Sequence, residues 1–234
     1  MVARKPQPSP VLIRWGGLAA VLSGVLAIIV TPFATFAGWM AGPGHTYPDM
    51  MWARLTEPLL TPFLGFSARE EVYATYGKAF LPIYLLFMIG LVSLHACLSG
   101  RAGRSEIRGF RVALTGLVMN LVGNVGDYWL GKEVLHQPLW GMSFVIGTML
   151  GTLVYVIGSV LLGISILRTT ALPRWSGWTL IIAPTLGIVL GLWQVKHLPS
   201  ALVLPVGLGW MLLGFVLWSG RDTLARQPAR VNQR

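Results

Sequence analysis

The chain has 234 residues, of which 54% are hydrophobic and only 11% charged, with a formal net charge of +10 and a mean hydropathy of +0.66. Soluble domains carry roughly 25% charged residues, so this chain cannot cover a water-facing surface of its size, and most of that surface must meet lipid. The positive charge does not indicate nucleic acid, because the basic residues fall in short clusters between long apolar runs, the pattern of a multi-pass membrane protein.

A segment over residues 1–17, with Arg4, Lys5 and Arg14, precedes the first apolar run, residues 18–40. The basic start suggests a signal peptide. The apolar character continues through Phe33, Phe36, Trp39 and Met40, however, and Ala34-Thr35-Phe36-Ala37 lacks the A-x-A cleavage spacing, so a retained span is expected. Residues 41–78 then form the longest connection. It opens on the turn-rich "GPGHTYPD" and continues as "MMWARLTEPLLTPFLGF", apolar but broken by Pro58 and Pro62. Such a segment lies along the membrane surface or dips into it. Ser67 with Glu70 matches a capping box, which starts a helix near Ala68 that runs into the second span, residues 79–98. Ordered connections of this length are often functional, and this one is a candidate lid.

The single cysteine, Cys97, lies inside that second span. It excludes an internal disulfide, and no CxxC or His/Cys spacing exists to hold a metal. His95 is the one histidine within a span, near its end; a packing histidine, or a relay or gate, are the two readings.

The third span, residues 112–130, contains "GNVGDYW". At 100° per residue Gly116, Asn120, Gly123, Asn124 and Asp127 share an arc of about 100°. Lipid does not accept such a small-and-polar stripe, so it must face other helices or a cavity. The fourth span, residues 142–167, offers the partner: Gly147, Gly151, Val154, Gly158 and Ser165 share a face, and the short connection predicts an antiparallel pair. A fifth span over 175–193 repeats the small-xxx-small spacing at Gly187 and Gly191. The sixth, residues 201–218, carries Trp210 at mid-depth, where the indole N–H needs a partner. Residues 219–234 form a polar, basic tail expected to rest on anionic lipid.

Thirteen of the eighteen basic residues fall on one side of this arrangement and five on the other. Basic residues concentrate on the cytoplasmic side, so both termini are predicted cytoplasmic, in agreement with the even number of spans. Trp15, Trp39, Trp129, Trp140, Trp175, Trp178, Trp193 and Trp218 fall at or near predicted span ends, the headgroup level that indole rings prefer. The expected fold is an all-α polytopic bundle of six transmembrane helices, residues 18–218.

Asp127 lies near the outer end of its helix, where the backbone dipole disfavours an acid, so a cation or donor should compensate. Lys132 and His136 follow in the same outer connection; His45, Arg54, Lys196 and His197 lie in the other outer ones. Asn120, Asn124, Asp127 and Lys132 form the candidate ligand-binding set. If the chain is an enzyme, Asp127 with His136 or His45 is the candidate acid–base pair. His95 and Asp127, roughly 20 Å apart along the membrane normal, cannot be a direct dyad. HExxH, GxSxG, GxxxxGK[ST] and GxGxxG are absent, which leaves no familiar catalytic or cofactor motif.

"LLGISILRTTALPRWSGWTLIIAP", residues 161–184, resembles a segment of uncharacterised small multi-pass bacterial membrane proteins, in which a helix ends in Leu-Arg, a short loop carries Leu-Pro-Arg-Trp, and the next helix begins. The resemblance covers about a tenth of the chain and implies a helix–loop–helix in a bacterial inner membrane. It implies no activity and no site residues. The sequence therefore predicts a membrane protein that binds or passes a small or lipidic ligand, or is a subunit of a membrane complex or homo-oligomer. The alternative is a membrane-embedded enzyme acting on a lipid or isoprenoid near the outer leaflet. No cofactor and no nucleic acid are expected.

Overall fold

Two apolar faces in close backbone contact organise the molecule. A computed structural model describes residues 9–41, 51–99, 103–169, 172–190 and 198–219. Among them every element is helical: α1 (Pro10–Ala41), α2 (Met51–Leu64), α3 (Arg69–Lys78), α4 (Phe80–Leu98), α5 (Gly103–Asn124), α6 (Gly131–Met142), α7 (Gly151–Leu167), α8 (Arg174–Leu190) and α9 (Leu198–Ser219). Two π-helical stretches interrupt the middle of the chain. Val125–Leu130 continues α5, and Ser143–Leu150 leads into α7.

Among the described residues four helical runs are long and apolar enough to cross a membrane: Pro10–Ala41, Arg69–Leu98, Gly103–Leu167 and Leu202–Ser219. The third, 65 residues long, folds back on itself. A Cβ on Gly116 would lie 2.3 Å from the backbone N of Tyr155, one on Gly158 would lie 2.2 Å from that of Ala113, and one on Gly109 would lie 2.9 Å from that of Leu162. As the residue number rises on α5 it falls on α7, so the two are antiparallel. The glycines are what allow this approach, since van der Waals packing rather than hydrophobicity holds helices together in lipid. The predicted hairpin of the third and fourth spans is thus present, with the glycine stripes as its seam.

The second seam joins α1 to α9. A Cβ on Gly24 would meet the carbonyl of Gly207 at 2.3 Å, and one on Gly17 would meet the backbone N of Trp218 at 2.7 Å. The beginning of α1 and the end of α9 therefore lie at the same end of the bundle. α4 packs on this pair through Gly90 and the Trp210 ring. The core between them holds Phe87, Leu91, Leu94, Leu98, Leu117, Tyr155, Leu162, Ile166, Trp210 and Leu213, all buried. Trp210 is 1% exposed, and its indole N–H donates to the Tyr155 hydroxyl at 2.5 Å, the partner that its depth demands.

At the far end of α1, residues of the long connection build a smaller apolar cluster. Phe36, Ala37 and Trp39 of α1 pack with Leu64 and Val72, Phe33 stacks on Tyr76 at 5.3 Å, and the Tyr76 hydroxyl donates to the carbonyl of Phe63 at 2.9 Å. α2 and α3 are thus packed elements. The helix expected near Ala68 begins at Arg69, but the expected capping box does not form. Ala68 is the N-cap and makes no side-chain cap bond. The Ser67 hydroxyl instead bonds the carboxylate of Glu71, one residue beyond Glu70.

Candidate functional site

The π-helical stretches face each other and carry the candidate site. Within Val125–Leu130 Asp127 stays on the seam that faces the start of the fourth predicted span. Asp127 is half-buried, and its two oxygens accept from the hydroxyls of Ser143, at 2.8 Å, and Thr148, at 3.2 Å. Both donors lie in Ser143–Leu150. π-helical turns inside α-helices recur at functional sites because they aim side chains that an α-helix would leave elsewhere. Close packing fixes the arrangement: a Cβ on Gly126 would lie 2.6 Å from that of Ser143.

These hydroxyls are the donors that the sequence called for, and neither candidate residue that follows Asp127 in the chain joins them. Lys132 is exposed and places its ammonium over the Trp140 ring, 4.4 Å from the centroid. His136 is also exposed. It lies at a break inside α6, with φ 57° and ψ 162°, two residues before Pro138, which cannot donate to a helical ladder. Neither residue is bonded to Asp127, whose hydrogen-bond partners among the described residues are Ser143 and Thr148 alone. Lys132 and His136 lie on the exposed side of α6, which starts at Gly131, a glycine with φ 65°, while Leu135 and Leu139 of the same helix face the site. His45, His197 and Lys196 lie outside the described residues.

The remaining stripe residues are spent on the fold. Asn120 donates to the carbonyl of Gly116 at 2.9 Å and accepts from the Thr152 hydroxyl at 3.1 Å. Asn124 donates to the carbonyl of Gly77 at 2.8 Å, tying α3 to the third span; its Oδ1 is buried and accepts no hydrogen bond. Asn120, Asn124 and Asp127 thus share one seam, and Lys132 does not join them.

Two groups beside the site were not singled out in the sequence. Tyr73 of α3 and Tyr128 share a hydroxyl–hydroxyl bond of 3.0 Å with ring centroids 5.1 Å apart. The Tyr128 ring lies so close to Gly77 that a Cβ there would overlap it. On the lipid-facing side, Leu121, Val125, Leu135 and Leu139 wall a groove of about 390 Å³ that Gly126 and Ser143 also line.

A second polar pair lies at the other end of the hairpin. His95 of α4 meets Glu106 of α5, Nδ1 to Oε1, at 2.5 Å. Its ring stacks on Phe110, 4.1 Å between centroids. Glu106 is 2% exposed. The predicted third span starts at residue 112, which leaves Glu106 among Arg101, Arg104, Arg108 and Arg111 in the connection before it, yet α5 already begins at Gly103. Glu106 and Asp127 are twenty-one residues apart, about 30 Å along a helix, so the two acids belong to separate sites. Between them the backbones of α5 and α7 touch at Gly109–Leu162, Gly158–Ala113 and Gly116–Tyr155.

No metal-binding group of His, Cys, Asp or Glu exists among the described residues. Comparison with protein-family models, curated proteins and solved structures finds no match to the chain.

Proposed function

We propose that this protein is a multi-pass membrane protein that binds a lipidic or small amphiphilic ligand at Asp127. One observation carries the reading: Ser143 both lines the apolar groove and donates to the Asp127 carboxylate. An apolar tail lies in the groove against Leu121, Val125, Leu135 and Leu139, and a donor or cationic head reaches the carboxylate past Ser143. An ionisable residue within a membrane-spanning run is costly and marks such sites. Here its π-helical setting is a further argument.

In this reading the six predicted spans correspond to α1, α4, α5 with its π-helical extension, the second π-helical stretch with α7, α8, and α9. The shared end of α1 and α9 is cytoplasmic, as the basic-residue distribution indicates, and the site faces the outer leaflet of a bacterial inner membrane. Passage of the ligand across the membrane has less support, since the backbones of α5 and α7 touch at Gly109–Leu162, Gly158–Ala113 and Gly116–Tyr155, which leaves no room for a ligand along that seam. Enzymatic action on a lipid or isoprenoid has less support, because His136 is exposed and not bonded to Asp127, which is held by two hydroxyls; the other candidate base, His45, lies outside the described residues.

Native mass spectrometry of the purified protein tests the reading. A specific bound species is expected, retained by the unmodified chain and by Lys132→Gln but lost in Asp127→Asn. Asparagine keeps an acceptor for Ser143 or Thr148, so the fold is retained while the charge is gone. Equal retention by Asp127→Asn overturns it.

A further inference from the structure

We infer that the groove between the start of α1 and the end of α9 binds an anionic phospholipid. Val11, Arg14, Trp15 and Leu18 lie at i, i+3, i+4 and i+7 on one face of α1, and with Trp218 of α9 they line a groove of about 350 Å³. The base is rigid, since the two backbones touch there: a Cβ on Gly17 would lie 2.7 Å from the N of Trp218 and 2.9 Å from the carbonyl oxygen of Gly214. Trp15 is 63% and Trp218 42% exposed, so two indoles flank the groove at the depth where such rings meet headgroups. The lining is apolar except for Arg14, which is exposed and makes no ion pair with any described residue.

The occupant follows from charge and shape. The apolar walls call for an acyl chain, and the guanidinium at their edge calls for an anion, which it binds through a planar set of donors suited to phosphate. The chain's own ends do not fit. Residues 1–8 carry Arg4 and Lys5, and residues 220–234 carry four arginines against Asp222. Both segments are net positive, so neither supplies the anion that Arg14 calls for. This site lies at the end of the bundle opposite Asp127, and the inference does not depend on the ligand proposed there.

The test is native mass spectrometry of the full chain with equimolar phosphatidylglycerol and phosphatidylcholine of matched acyl chains. Phosphatidylglycerol is expected to be retained about fivefold over phosphatidylcholine, the factor equivalent to roughly 1 kcal/mol per basic residue near an anionic surface. Arg14→Gln is expected to bring the two lipids to parity, and Arg14→Lys to keep the preference. Val11→Trp, which fills the groove from an exposed position, should reduce retention of both lipids and keeps the inference testable if Arg14→Gln does not fold. Removing residues 221–234 should leave the preference in place. Parity in the unmodified chain, an unchanged preference in Arg14→Gln, full retention in Val11→Trp, or a preference that disappears with the tail would each overturn the inference.

Discussion

Gly123 and Gly147 meet backbone to backbone: a Cβ on Gly147 would lie 2.3 Å from the Cα of Gly123, and a Cβ on Gly123 would lie 2.7 Å from that of Gly147. This contact lies between Asn120, bonded to Thr152, and Asp127, bonded to Thr148. It therefore sets the distance at which the hydroxyls of one helix reach the polar groups of the other. Gly147→Ala is expected to force the helices apart at a cost of about 1–3 kcal/mol, the usual range for overpacking. Thermal unfolding in detergent should show a lowered midpoint. Gly141→Ala is the control, since a Cβ there meets nothing within 4 Å; it should leave the midpoint unchanged or raise it.

The Trp210–Tyr155 bond gives a second prediction. Both residues are buried, and Trp210 also packs against Phe87 with centroids 5.9 Å apart. Trp210→Phe loses the indole donor and part of that packing, whereas Tyr155→Phe loses the hydroxyl, which bonds Ser159 as well as the indole. A double-mutant cycle should give a coupling of about 0.6 kcal/mol, the mean for side-chain hydrogen bonds between membrane helices, with roughly 1.7 as the ceiling. A coupling of zero would mean that the indole finds another acceptor once Tyr155 is gone.

Much of this architecture was legible in the sequence because lipid imposes strong rules. The glycine and asparagine stripe of the third predicted span had to face protein, and Gly116, Asn120, Gly123 and Asn124 are all buried. The need of Trp210 for a partner was equally readable. Asp127's partners were not, because the nearest charges in sequence, Lys132 and His136, lie on the exposed side of α6. Glu106 was missed for a different reason. The predicted third span starts at residue 112 and leaves it among four arginines in the connection before. Its signal was nevertheless present: Glu106, Gly109, Ala113, Gly116, Asn120, Gly123 and Asp127 recur at spacings of three and four, so extending the stripe backward leads to Glu106.

The His95–Glu106 pair invites its own test. Glu106 is almost wholly buried, while the side chain of His95 is 30% exposed. Removing the histidine leaves a buried carboxylate without its one observed hydrogen-bond partner. His95→Ala should therefore destabilise the α4–α5 hairpin more than Glu106→Gln, which keeps an acceptor for the ring and removes the charge. A hydrogen bond to a charged group contributes about 1.5–3 kcal/mol, and the His95→Ala loss should fall in that range. Chemical denaturation followed by circular dichroism would measure both variants, and a larger loss in Glu106→Gln would show the carboxylate charge itself to be the stabilising element.

The last prediction concerns how α3 is held over the site. Gly77 is the penultimate residue of α3, and carbonyls in the last turn of a helix need partners outside it. Asn124 supplies one from the third predicted span. Asn124→Leu removes that donor, together with the buried Oδ1 that accepts no bond, so the two effects partly offset and the net loss should be about 1 kcal/mol. Asn124→Asp keeps the shape, has no donor when ionised, and places a carboxylate against the Gly77 carbonyl, so its loss should be larger. The local consequence differs from the global one. With the Asn124 bond gone, α3 keeps the Tyr73–Tyr128 and Tyr76–Phe63 bonds and its packing on α1 and Tyr128 but loses the tie near its last turn, and amide hydrogen exchange over residues 69–78 should accelerate while exchange in α7 stays unchanged. Equal protection of residues 69–78 in all three proteins would mean that α3 is fixed by its aromatic contacts alone.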